Sequence, residues 1–260
     1  MQINQINHPD NLQMQGFSLI ELMVVIVILG VLSSVGSSVM LKAKSKAKAV
    51  YCSSQLRQFS VATEIYRSDY NGSFFPYLSS VNARMRKYWF GVVGQGEEGE
   101  RQLGLHDGHL SPYLGRRNLG LCPEFPYGKP YVKMKFKGRS YGYGYNVSLS
   151  PKTREGITQA VKINNPSQTV VFADSANLNN FQFPATRDSP LLEEFYLLAP
   201  RQRTLHVRHL SSALSVFVDG HIEPLKRPAW KSSGVNFKGN LLTELKSNYL
   251  APIKFLSSSR

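Results

Sequence analysis

The side chains able to do chemistry fall into three groups along this 260-residue chain. The first is a set of histidines and acids, His206, His209, Asp174, Asp219 and His221, whose types are those that ligate metal ions. His206 and His209 stand three residues apart on an expected strand, so their side chains point to opposite faces and cannot easily share one ion. The preferred reading is structural: Asp219-Gly220 is turn chemistry, and His209 is hydrogen-bonded to neighbouring backbone. His106-Asp107-Gly108-His109 reads likewise as a polar loop. No metal site and no cofactor is assigned. No serine or cysteine nucleophile has a convincing partner either, so the chain does not read as an enzyme.

The second group is Cys52 and Cys122, the only cysteines. An extracytoplasmic location allows them to bond, and closing so long a loop would stabilise the fold by about 4 kcal/mol on the chain-entropy account. Two buried free thiols are the alternative, and it stays open because a sequence does not show whether the sulfurs meet.

The third group is a single acid, Glu21, near the start of the apolar run GFSLIELMVVIVILGVLSSVGSSVML from Gly16 to Leu41. From Leu22 to Leu41 there are twenty residues without a charge, about what an α-helix needs to cross a hydrocarbon core. An ionised carboxylate inside a bilayer costs about 2.5 to 3.5 kcal/mol unless it finds a partner. Cutting the chain after Gly16 would supply one: the new amino group of Phe17, one helical turn from Glu21 or in the same relation on a neighbouring subunit.

Gly16, Phe17, Leu19, Ile20 and Glu21, followed at once by the apolar run, resemble the amino terminus of type IV prepilins and type II secretion pseudopilins. The resemblance implies a leader over residues 1–16, cleavage between Gly16 and Phe17 by a prepilin peptidase, and N-methylation of Phe17. It further implies a transmembrane and assembly helix over residues 17–41, with Phe17 and Glu21 as the assembly residues. The chain would cross the bacterial inner membrane once, hold its head in the periplasm, and partner copies of itself or other pilins in a pilus or pseudopilus. A secretory signal loses its apolar core on cleavage, whereas here the cut precedes that core. The leader carries no Lys or Arg, while Lys42, Lys44, Lys46 and Lys48 follow the helix. Charge distribution alone would keep those lysines cytoplasmic, so the motif and the charge rule point in opposite directions, and the motif is given precedence.

No proline occurs between Pro9 and Pro76, so the helix is free to continue to about Tyr66, a length of roughly 75 Å. Over its soluble half, residues 42–66, Cys52, Leu56, Phe59, Ala62 and Tyr66 recur at helical spacing and form one apolar face. Ser33 to Ser38 is its weakest section in helix propensity. Beyond Asp69, Asn71, Gly72 and Pro76, the chain turns to strands. Gly91 to Gly108 reads as a loop whose Glu97 and Glu98 would repel a phosphate. Tyr141, Tyr143 and Tyr145 alternate with Gly142 and Gly144 at strand period, a pattern explained better by sheet packing than by stacking on nucleic-acid bases. Val170 to Phe172, Leu205 to His209 and Leu214 to Val218 read as strands, with a type I′ turn at Asp219-Gly220 leading into His221, Ile222 and Glu223. The expected fold class is α+β: a long amino-terminal helix packed on a meandering antiparallel sheet, pilin-like, with a head over residues 67–225 and an extension over 226–260.

Hydrophobic residues at 42% and aromatics at 11% support a packed head. The net charge of +14 implies attraction to polyanions, although the basic residues are scattered.

A narrower resemblance is to the bacterial prepilin-type "H-X9-DG" proteins, carried by His209, the nine residues Leu210–Val218, then Asp219 and Gly220. Cys52 with Leu56-Arg57-Gln58, Tyr66 to Pro76, Pro112-Tyr113-Leu114, Cys122-Pro123, Ser140-Tyr141-Gly142, Pro166 to Asp174 and Arg208-His209 add to it. Leu210-Ser211-Ser212 stand where glycines are common in that family. Three roles follow: a pilin-like or pseudopilin-like structural subunit, a minor pilin that binds DNA or surfaces through a basic head, or a solitary membrane-tethered periplasmic binding domain.

Overall fold

The computed structural model describes residues 16–82, 84–115, 121–137, 141–154, 157–159, 163–199, 204–226 and 249–251. The expected leader, apart from Gly16, and most of the 226–260 extension lie outside the described residues. The chain forms two compact units, one ending at Lys44 and the other beginning at Ser45.

One α-helix, Leu19–Asp69, contributes to both units. Its hydrocarbon-length window has a mean hydropathy of 2.5 and no buried residue. The helix continues through Ser33–Ser38, so poor local propensity does not interrupt it. In the second unit, Cys52, Leu56, Phe59, Ala62 and Tyr66 are buried as a single stripe, joined by Gln55 and Thr63. The helix stops where Asn71 and Gly72 take positive φ values of 50° and 79°. There the Gly72 N–H donates to the Arg67 carbonyl at 2.7 Å, closing the terminus as a Schellman cap does.

The principal sheet has five strands in the order Leu197–Leu198, Tyr143–Asn146, Val170–Asp174, Ser212–Phe217, Ile222–Lys226. Its neighbours are antiparallel except the first pair. A second parallel pairing joins Leu191–Glu194 to Val132–Lys133, so the head is a mixed sheet within the expected α+β class. One face carries Tyr143, Tyr145, Phe172, Leu214 and Val216 against the helix stripe. The other carries Val170, Ala173, Ala213 and Phe217 against Leu198, Leu205 and Val207. Burial on both faces explains why these strands read as continuous apolar runs.

Phe59 projects from the helix into an aromatic cluster, with ring centroids 5.7 Å from Trp89, 5.5 Å from Tyr143 and 5.2 Å from Phe172. Tyr141, Tyr143 and Tyr145 are all buried here, which accounts for the aromatic stripe by packing. The glycines between them face other side chains: a Cβ on Gly142 would lie 2.6 Å from Glu194 Oε1, and one on Gly144 2.8 Å from Ser175 Oγ. Gly91 to Gly108, expected as a loop, contains the short strands Val92–Val93 and Leu103–Gly104. They pair with each other, and Val92–Val93 also pairs with Met85–Tyr88, because two valines and a leucine suffice for a brief ladder between polar turns.

The turn chemistry differs from expectation. At Asp219-Gly220 only Gly220 has positive φ, 86°, with its N–H donating to the Phe217 carbonyl at 2.9 Å. That is the three-residue hairpin form, a type I turn closed by a left-handed glycine, rather than type I′. The two-residue primed geometry lies instead at Leu210 and Ser211, with φ values of 47° and 66°. His209 and Ser212 exchange backbone hydrogen bonds of 2.8 Å across it. A left-handed leucine costs about 1 to 2 kcal/mol, and this one is exposed. Leu210→Asn is therefore expected to stabilise the full chain in detergent by about 0.5 to 1 kcal/mol; thermal unfolding would reveal this, and an unchanged or lower midpoint would contradict it.

Candidate functional site

Two places gather the chemistry-bearing residues. At the amino-terminal one, Gly16, Phe17 and Ser18 are exposed and precede the helix. Glu21, in the first helical turn, accepts the Ser18 backbone N–H through Oε2 at 2.8 Å. Ser18 and Glu21 thus supply half of a capping box, and the carboxylate sits at the positive end of the helix dipole. The peptide bond between Gly16 and Phe17 lies outside the helix.

The other place is buried in the head. Cys52 reaches it from the helix, with Sγ 3.1 Å from Cys122 Sγ as free thiols. The loop carrying Cys122 is held to the helix by a 2.8 Å ion pair between Lys48 and Glu124. Cys122 Sγ is 3.3 Å from His209 Nε2, which in turn lies 3.5 Å from Asp174 Oδ2. That same oxygen accepts the Leu214 N–H at 2.8 Å. Arg208 Nε stands 3.4 Å from Asp174 Oδ1, while its Nη2 donates to the Gly142 and Ser175 carbonyls at 2.6 and 3.0 Å. The absence of a side chain at Gly142 makes room for Arg208 and Glu194 together.

The electrostatics follow from burial and pairing. Hydrogen bonding from Cys52 pulls the Cys122 thiol below its ordinary value against the opposing effect of burial, with the Arg208 charge and His209 adding to the pull. The hydrogen bond to Cys122, with burial, pushes Cys52 up. Burial disfavours a charged His209, but hydrogen bonding to Asp174 and Cys122 outweighs it and raises the imidazole to about 9. Burial raises Glu194 to about 8 although the Tyr127 hydroxyl donates to it.

Of the histidines and acids weighed in the sequence, His209 and Asp174 meet and the others do not join them. His206 is buried edge-on to Phe125, ring centroids 5.6 Å apart, and burial drives it well below its ordinary value. Asp219 binds His221 Nδ1 at 2.5 Å in the exposed turn. His209 and Asp219 flank opposite ends of the Ser212–Phe217 strand. Contrary to expectation, the His209 ring is engaged by a thiol and a carboxylate, and only its backbone joins the neighbouring turn. Sequence reasoning did not connect the cysteines to His209, nor assign Arg208 and Glu194 any part; adjacency of Arg208 to His209 was the one available signal.

Residues 12–37 match the prokaryotic N-terminal methylation motif. The chain has a prepilin-type amino terminus. No curated protein and no solved structure matches the chain. The prepilin-type segment coincides with the apolar, membrane-length part of the helix, and a long apolar helix with a mixed-sheet head is a pilin-like architecture.

Glu194 carries a pH signature. Its carboxyl is raised from 4.5 to about 8 in the folded chain, so its favourable contribution is complete below pH 4.5 and disappears as pH rises through about 8. Because other buried groups also titrate here, the reading is a difference: across this window the melting temperature of the full chain should lose ground relative to that of Glu194→Gln, and parallel pH profiles would contradict the assignment.

Proposed function

We propose that this protein is a pilin-like or pseudopilin-like structural subunit, held in the bacterial inner membrane by its amino-terminal helix with its head in the periplasm. Prepilin peptidase cuts between Gly16 and Phe17, and the helix then packs with copies or relatives in a fibre. The observation that carries this reading is the prepilin-type motif lying on the apolar, membrane-length part of the helix, where no residue is buried, with Glu21 in the first turn as the one acid between Phe17 and Leu41. Before cleavage the Ser18 N–H partly satisfies that carboxylate. After cleavage the Phe17 ammonium of a neighbour answers it, and an unpaired charge penalises every wrong register in the apolar bundle. Glu21→Ala or Glu21→Val should leave cleavage intact, read as an amino terminus at Phe17, while reducing fibre incorporation at least tenfold or so. Undiminished incorporation would remove the register role.

A cleft lined by Arg84, Arg86, Gln95 and Arg101 favours a second reading, a minor pilin engaging polyanions through its head. Arg101 is oriented by Glu98 at 3.1 Å and the Gly96 carbonyl at 3.0 Å. Detergent-solubilised full chain should then bind DNA with a steep salt dependence that Arg84→Ala with Arg86→Ala makes shallower; no retention at low salt would dismiss this reading.

A further inference from the structure

We infer that Cys52, Cys122, His209 and Asp174 form a site for one zinc ion. The two sulfurs and the imidazole nitrogen all lie within 4.8 Å of one another. Zinc bonds of about 2.0 to 2.3 Å in a tetrahedron separate the donor atoms by roughly 3.3 to 3.8 Å. The observed separations are 3.1 Å between sulfurs, 3.3 Å from Cys122 Sγ to His209 Nε2 and 3.5 Å on to Asp174 Oδ2; the sulfurs need to part by about 0.7 Å and the other two pairs to shift by a few tenths of an ångström. Two thiolates and an imidazole are soft and borderline donors, which select zinc over magnesium or calcium.

Charge and support agree with the donor set. Two thiolates and one carboxylate contribute three negative charges; zinc and the Arg208 guanidinium contribute three positive ones, so the buried group is neutral as a whole. Outside the donors, the Leu214 N–H holds Asp174 Oδ2, and Arg208 approaches the other carboxylate oxygen while anchored on two carbonyls. Such outer partners orient metal ligands. The ligands come from the long helix, the Cys122 loop, the end of the Val170–Asp174 strand and the residue before the Leu210-Ser211 turn. An ion there ties the helix to three parts of the head, so its binding free energy becomes folding free energy. This inference is independent of fibre assembly and of polyanion binding.

The test uses the full chain purified in detergent without added metal. Elemental analysis should find about one zinc per chain, and exchange into cobalt should give thiolate-to-metal charge-transfer absorption. His209→Gln and Cys122→Ser should reduce zinc to below roughly a tenth of an equivalent. Because either variant can misfold, the wild-type chain is also treated with a zinc chelator: alkylation of both thiols should then accelerate and the melting temperature drop, with zinc reversing both. Absence of zinc with two freely alkylated thiols would overturn the assignment. So would a metal-free chain two hydrogens lighter than its dithiol mass, which identifies a Cys52–Cys122 disulfide, or zinc content unchanged in both variants.

Discussion

Between Phe17 and Leu41 every described apolar side chain is exposed, and an apolar surface of that extent has to leave water. A helix is the form in which such a segment can do so, because its backbone groups are satisfied internally and need nothing from the surrounding medium. The one charged group in this segment is confined to the first turn, where free backbone N–H groups and the helix dipole can meet it. The rest of the protein works within this constraint: the same helix that needs an apolar environment at one end must be compatible with water and a folded core at the other.

In the second unit that compatibility rests on a narrow stripe. Cys52, Leu56, Phe59, Ala62 and Tyr66 are buried, whereas Val61 and Ile65 on the same stretch remain exposed. The sheet meets the stripe with large aromatic rings, and glycines placed between those rings admit a second layer of polar side chains behind them. Aromatic packing of this kind anchors the helix with few residues, since each ring buries a large area.

The features easiest to read from the sequence are those with a period or an unbroken apolar stretch. The stripe at helical spacing and the tyrosine-glycine alternation repeat at 3.6 and 2 residues, while the long apolar run and the strand ending at Asp174 stand out as unbroken apolar stretches, and neither kind of signal needs knowledge of partners. Asp219-Gly220 reads as a turn, but its type depends on the pairing of the flanking strands, which local composition does not specify. Leu210-Ser211 concealed a primed turn, since neither residue advertises positive φ. The Cys52, Cys122, His209 and Asp174 group was not legible as a group at all. Its members are separated by up to 157 positions along the chain, 209 minus 52, and only the folding of the helix onto the sheet brings them together.

The nine residues between His209 and Asp219 behave as a ruler. They comprise the Leu210-Ser211 turn, the Ser212–Phe217 strand and Val218, so the spacing measures one strand with its entry and exit. Along that strand Leu214 and Val216 serve one core while Ala213 and Phe217 serve the other. Inserting a single residue would exchange the two inventories, sending small side chains where large ones are needed and the reverse. Length in this segment is therefore far less free to drift over evolution than composition, and a fixed count of residues can be a mark of architecture even where the amino acids being counted differ.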